Sequence, residues 1–518
     1  MKKSRLILFG SISLLLTCSC SKLNENAEGN LTAPQLRQDS IAAAQLLRGV
    51  YYSLEATFTC FEEVFALSEL STDEAIAPTR GTNWDDNGVW RVLHEHKWDG
   101  GNIPLNNCFN NLSGVIFSAT NLLQYKATKG QQAEARFLRA WAMYWLLDFF
   151  NQVPYREPGE SVLTPAKVRV GMDALNFIIS EVYAIEPNLV EGPAGEANKY
   201  GAKALLMKCY LNKGVYANRA APSFALADMD SVIKFADEII NSNQFSFSEN
   251  YFDNFSPLNS SLGNENIYTQ ASSSDGNYEL CFSWGIPLSY AQGGFNGFTT
   301  LSDFYNRFDS TDNRRQAVYD YPNAPLNPGR HVNLGFLIGQ QYDLNSGSPL
   351  YFNGSPVILT PNVQNILQGT DLFNSGIRPI KYAPDYLNFY GPAPTNSFVY
   401  FRLPDVLLMK AEAILRGGAP TNEGSYGNTA LSLVNAIRTD PSRGVKPLTS
   451  LSPDDLYDER GRELWWECWR RQDMIRFGKF HLPFEEKQYI DDPKYLLYPI
   501  PYDQISVNKN YKQNPGYN

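Results

Sequence analysis

Apolar residues recur at three- and four-residue steps in two stretches of the chain, and each recurrence predicts a helix with one buried face. In the first stretch, Ala43, Leu46, Leu47, Val50 and Tyr51 mark one helix. Phe137, Ala140, Trp141, Tyr144 and Leu147 mark another over 133–149. Residues 171–184 and 198–213 carry the same spacing, as does 225–241 after Pro222-Ser223. The second stretch predicts helices over 404–416, 427–438 and 453–476, with Pro404 suited to a first turn and Gly417-Gly418 to a stop. In 453–476, Glu459, Glu463 and Glu467 stand four apart with Arg462 and Arg470 interleaved, which predicts ion pairs along one helix. Over roughly 60–130 and 245–400 Gly, Pro, Asn and aromatic residues dominate, and the helical period fades.

Several helices come as pairs joined by short loops. AKALLMKCYLNKGVY at 202–216 has the small/large alternation of tetratricopeptide-type hairpins, although no strict 34-residue period runs through the chain. The fold class expected is all-α: a scaffold of helix pairs in a single domain over 41–518, with large irregular insertions.

The N-terminus has a different pattern. Lys2, Lys3 and Arg5 precede an apolar run, Leu6 to Leu16, which is too short for a bilayer needing roughly 20 apolar residues. It reads as the core of a secretory signal. The cysteines behind it, Cys18 and Cys20, resemble the lipobox of bacterial lipoproteins, with small Ser19 making Cys20 the better acylation site and Cys18 the alternative. Residues 1–19 are then a signal peptide and 20–40 a polar, lipidated tether. Several acyl chains anchor a protein stably, since each buried methylene contributes about 0.8 kcal/mol.

Removing residues 1–19 takes away three bases and no acid, so the net charge of −10 becomes −13. So acidic a body argues against nucleic acid and anionic lipid as partners. Cys60, Cys108, Cys209, Cys281 and Cys468 are scattered, with neither a disulfide framework nor zinc-ligand spacing. His94-Glu95-His96 lacks a third ligand at a convincing spacing, so no metal or cofactor is expected.

Aromatic residues make up 13% of the chain, and two loop segments concentrate them. Residues 70–102 hold Trp84, Trp90 and Trp98 among charged and amide side chains, and 278–300 hold Trp284, Tyr290 and Phe295 among Gly and Pro. Sugar C–H groups pack on ring faces, while hydroxyls bond carboxylates and guanidiniums at the edge. An enzyme reading fares poorly. Asp73-Glu74 and Asp85-Asp86 are adjacent residues, and a glycosidase needs carboxylates facing each other across the sugar. No Gly-x-Ser-x-Gly, phosphate loop or zinc signature occurs.

Four further segments carry a family resemblance. FVYFRLPDVLLMKAEAILRGG (398–418), ALSLVNAIRTDPSRG (430–444), DERGRELWWECWRRQDMIRFGKF (458–480) and YPIPYDQISVNKNYKQNPGY (498–517) resemble the motifs of the SusD/RagB family. AEARFLRAWAMYWLLDFFNQVPY in the N-terminal half is also typical of it. The resemblance implies a superhelix of four tetratricopeptide-like helix pairs with irregular segments covering one side. It implies a non-catalytic lipoprotein that captures glycans at the outer membrane and passes them to a SusC-like TonB-dependent transporter. Capture of peptides, as in RagB-like relatives, is the alternative. Residues 70–102 resemble the sugar-site loop of starch-binding members, and on that pattern Asp73, Arg80, Trp98 and Asn102 join Trp84, Trp284, Tyr290 and Phe295 as candidate glycan-binding residues.

Overall fold

The computed structural model describes residue 35 and residues 37–517, apart from 82, 271–284, 364–371, 390–393 and 422–423. Cys20 and the signal region, like Trp284, lie outside the described residues. The main helices are α1 (Ser40–Thr59), α2 (Ile103–Leu122), α3 (Lys129–Phe150), α4 (Met172–Ile185) and α5 (Lys199–Leu211). They continue with α6 (Leu226–Ile240), α7 (Leu403–Leu415), α8 (Ala430–Arg438), α9 (Pro453–Leu464) and α10 (Arg470–Arg476). Helices near one another in sequence pack together: α2 against α1 and α3, α3 against α4, α5 against α6, and α7 against α6, α8 and α9. This is the all-α scaffold expected from the pattern, in the tetratricopeptide-like superhelix that the resemblance implied. None of the described helices is long and apolar enough to cross a membrane.

Local chemistry sets the helix ends. Thr128 and Gln131 form a capping box that starts α3 ahead of its apolar period, and Asn151 stops it in the left-handed region at φ 61°. From Phe137 to Phe150 every residue of α3 is buried. A helix covered on all sides is the core of its domain. Trp141 and Trp145 pack on Phe58, and both contact Trp469, which follows α9.

Two expectations need correction. The first concerns 60–130, read as an insertion without helical period, where α2 spans 20 residues. Its buried face, Leu105, Cys108, Phe109, Leu112, Val115, Ile116 and Ala119, does keep helical spacing. The interleaved Asn, Ser and Gly, all poor helix formers, obscure it. The second is the helix expected over 453–476, which breaks at Trp465–Trp469. Trp466 and Cys468 adopt φ 59° and 67°, and the turn buries Trp465, Trp466 and Trp469.

The charged run of α9 also acts differently from its sequence reading. Only Glu459–Arg462, at 2.8 Å, stays within the helix. Glu463 instead binds Arg314 at 2.9 Å, Arg443 at 2.6 Å, and Arg402. Glu467, beyond the helix end, takes Arg402 at 2.7 Å and Lys381 at 2.6 Å. These buried pairs staple the irregular 245–400 region to the scaffold. That region is built of short antiparallel pairings, with Phe398–Arg402 against Asn266–Gln270 and Leu334–Leu337 between Gln316–Ala317 and Arg378–Ile380.

The C-terminal segment folds back over the N-terminal half. The Tyr498 amide donates to the Phe149 carbonyl at 2.9 Å, and Asn514 Nδ2 donates to the Phe150 carbonyl at 2.9 Å.

Candidate ligand-binding face

The four residues singled out in 70–102 do not converge on one surface. Asp73 is buried and receives Arg470 Nε at 2.7 Å, Arg470 Nη2 at 2.9 Å, Arg307 Nη2 at 2.9 Å and the Tyr457 hydroxyl at 3.2 Å. Burial alone would raise its carboxyl, but the Arg470 and Arg307 guanidiniums outweigh burial and hold it at about 2. Asp73 is therefore an anchor for α10 and pairs with Arg470 rather than Arg80. Its neighbour Glu74 is also buried, and desolvation raises it to about 8.

Trp98, 3% exposed, packs on Tyr498 at 4.5 Å and Tyr495 at 5.2 Å, and its Nε1 donates to the Tyr517 hydroxyl at 2.9 Å. It clamps the C-terminal segment and offers no ring face to solvent. Asn102 caps α2, its Oδ1 accepting the Leu105 amide at 3.4 Å. His94 and His96 also serve the fold. His94 lies between the Leu70 and Glu485 carbonyls, and His96 between Asp491 and the Ser71 carbonyl. Burial lowers His94 to about 4.

Trp84, Tyr290 and Phe295 have a different fate. Ala75–Ile76 pairs antiparallel with Thr299–Thr300, which brings the two aromatic loop segments together. Trp84 takes the left-handed conformation, φ 58°, and its Nε1 donates to the Phe295 carbonyl at 3.0 Å. Its indole lies so close over Gly297 that a Cβ there would sit 2.5 Å from the ring, so only glycine fits. Phe295 stands 54% exposed beside it. Trp90, by contrast, is buried and donates to Asp86 Oδ2 at 2.7 Å.

Tyr290 belongs to a cluster that the sequence reading did not single out. Its ring lies 5.6 Å from Phe352 and 5.7 Å from Phe373, with Phe352 and Phe373 5.3 Å apart. Tyr351 and Phe373 are exposed. Phe352 arrives on a two-residue hairpin, Tyr351–Phe352 against Ser355–Pro356, turned by Asn353-Gly354 at φ 50° and 81°. That Asn-Gly pair is a hairpin signal visible in the sequence.

The short turn that presents Tyr290 also carries Gln292 into an adjoining cleft of about 300 Å³, which Asn333, Gln341, Tyr342, Asp343 and Tyr386 help to line. Flat rings thus border a cavity rich in amides, hydroxyls and one carboxylate. Such a surface can stack on sugar faces and bond hydroxyl edges.

Arg80 lies beneath this face rather than on it. Its Nη1 donates to the carbonyls of Asn296 at 2.7 Å and Gly297 at 2.6 Å, and its Nη2 to that of Ser375 at 2.9 Å. Arg378 binds the same two loops. Its Nη1 donates to the carbonyls of Ser375 and Gly376, both at 2.7 Å, and its Nη2 to Asn296 Oδ1 at 2.9 Å and the Phe373 carbonyl at 3.0 Å. Burial presses Arg80 down to about 9 against the opposing influence of the nearby Tyr290 hydroxyl. Burial, reinforced by Arg80, also lowers Arg378 well below the usual guanidinium range.

A helical superhelix faced on one side by an aromatic, amide-rich loop surface defines a class of ligand-capturing scaffolds. The family model of the SusD family matches residues 233–517, more than half of the chain, and the protein belongs to that family. It is 25% identical over 444 residues to the starch-binding protein SusD of Bacteroides thetaiotaomicron, a match covering 75% of this chain and 73% of that one. Its fold is similar to that of surface glycan-binding protein A from Bacteroides uniformis, with a TM-score of 0.69 at 17% identity over 92% of this chain and 99% of the other. A laminarin-binding SusD-like protein superposes with a TM-score of 0.67 at 19% identity, over 93% of this chain and 100% of the other.

Proposed function

We propose that this protein is a non-catalytic, cell-surface glycan-binding lipoprotein. It is anchored in the outer membrane through acylated Cys20, and it captures oligo- or polysaccharide for a SusC-like TonB-dependent transporter. The observation that carries the reading is the ring cluster of half-buried Tyr290 and Phe352 with exposed Phe373, and exposed Phe295 on the Tyr290 loop, beside an amide-lined cleft. Rings give affinity for many sugars, and the cleft's hydrogen-bonding groups give selectivity. The names of the similar proteins, which bind starch, laminarin or surface glycans, support the same reading. Catalysis is not part of the proposal. Asp73 is locked to Arg470, and Asp86 accepts the Trp90 indole.

Titration calorimetry against a panel of soluble polysaccharides and a peptide digest tests this. The expected result is saturable binding of at least one polysaccharide, none of the digest, and no new reducing ends after prolonged incubation. Binding of the peptides alone, or release of reducing ends, would overturn it. Metabolic labelling with a fatty acid, compared between wild type and Cys20→Ser, tests the anchor.

A further inference from the structure

Arg80 and Arg378 are 2% and 0% exposed; Arg80 donates only to backbone carbonyls, and Arg378 to backbone carbonyls and one side-chain amide oxygen. Among the described residues no carboxylate pairs with either, and the Nε of each has no hydrogen-bond partner. Every other buried arginine described has a carboxylate oxygen within 4 Å: Arg139, Arg314, Arg402, Arg438, Arg443, Arg460, Arg470, Arg471 and Arg476 all do. Taking one guanidinium from water without a counter-charge is costly, and placing two side by side adds their mutual repulsion. The carbonyl dipoles offset part of that cost and leave the net charge in place.

The location of the pair gives the charge a use. Arg80 holds the carbonyls of the two residues that follow Phe295, Arg378 holds the Phe373 carbonyl, and the Tyr290 hydroxyl is near enough to Arg80 to influence it. The two cations therefore lie against the backbone that carries the exposed rings of Phe295 and Phe373. A charge set in a poorly polarisable wall is screened far less than one in water, so its field reaches a ligand lying on the rings. The acidic body repels anions at a distance, so a preference for charge at this face must be set locally.

We propose that the aromatic face takes an acidic glycan, one bearing uronate carboxylates or sulfate esters, with Arg80 and Arg378 as its buried counter-charge. This rests on the glycan reading above and names the class of sugar. Arg80 and Arg378 are then specificity-determining residues that act through the loops they clamp.

Short oligosaccharides matched except in charge give the test. An oligogalacturonide is compared with its methyl ester, a sulfated galactan oligosaccharide with its desulfated form, and a neutral β-glucan oligosaccharide serves as reference. In calorimetry the acid form of at least one pair is expected to bind at least about tenfold more tightly than its neutral partner. The pair that shows the preference identifies the anion. Arg80→Gln is expected to close that gap, Arg80→Lys to keep most of it, and Phe295→Ala to weaken both members equally. If neither acid form beats its partner while some sugar binds, the charge proposal falls and glycan capture stands. If no sugar binds, the glycan reading itself falls. Should Arg80→Gln melt early or fail to fold, the wild-type ratios decide alone.

Discussion

The arginines around α9 and the two beneath the aromatic loops are buried to the same degree in opposite company. Arg314, Arg402 and Arg443 converge on Glu463 and share Glu265 and Glu459, so that region comes close to neutral within itself. Arg80 and Arg378 hold loops in place through backbone carbonyls and one side-chain amide oxygen, with no carboxylate among the described residues. Both arrangements fix irregular backbone. The first closes a structure, and the second leaves charge for something outside it. Burial of a charged side chain is therefore a poor guide to its role until its counter-ions are counted.

The sharpest way to break that contrast is Glu463→Ala, which removes the carboxylate on which three guanidiniums converge. A loss of about 5 kcal/mol in denaturant unfolding is expected, the upper end for breaking a buried ion pair. Survival with little loss would show that the network is not what holds the 245–400 region. Next comes Trp98→Ala, expected to cost about 3–4 kcal/mol of stability through the cavity it leaves. Sugar affinity of the folded fraction should not change, and a selective loss of binding would return Trp98 to the site.

Acid titration probes the scaffold's carboxylates. Asp73, Glu412 and Glu459 are each held at about 2 because neighbouring guanidiniums outweigh the effect of burial. Their folded values lie below the unfolded ones, so the stability they confer is present above about pH 4.5 and disappears as pH falls toward 2. Each contributes on the order of 2–3 kcal/mol. Acid unfolding monitored by circular dichroism should shift to higher pH in Glu412→Gln. The smallest effect is at the exposed face. Phe295→Ala should leave the melting temperature unchanged and weaken glycan binding by about 1 kcal/mol.

Much of the scaffold was legible because helical spacing is a local property. The helix expected over 133–149 is α3, extended at its start by the Thr128 cap, and 225–241 is α6. What escaped depends on residues far away in sequence. The break at Trp465–Trp469 answers to Trp145 and to Phe401, whose ring lies 5.6 Å from Trp469. Asp73 looked like a sugar ligand because its partner, Arg470, sits 397 positions further on. Tyr290 and Phe295 stand out for their company of Gly and Pro and Trp84 for its charged and amide neighbours, and the pairing of Ala75–Ile76 with Thr299–Thr300 brings their segments together. Phe352 and Phe373 went unnoticed, since aromatics on short hairpins carry no period of their own.

The contacts of the last residues bear on the order of events during synthesis. Tyr498, Asn514 and Tyr517 close against Phe149, Phe150 and Trp98, so the earliest helices lack part of their cover until the chain's final residues arrive. A nascent protein leaving the ribosome, or threading a pore with its N-terminus leading, stays incomplete for most of its passage. A fragment that stops short of residue 498 lacks the groups that close over Phe149, Phe150 and Trp98.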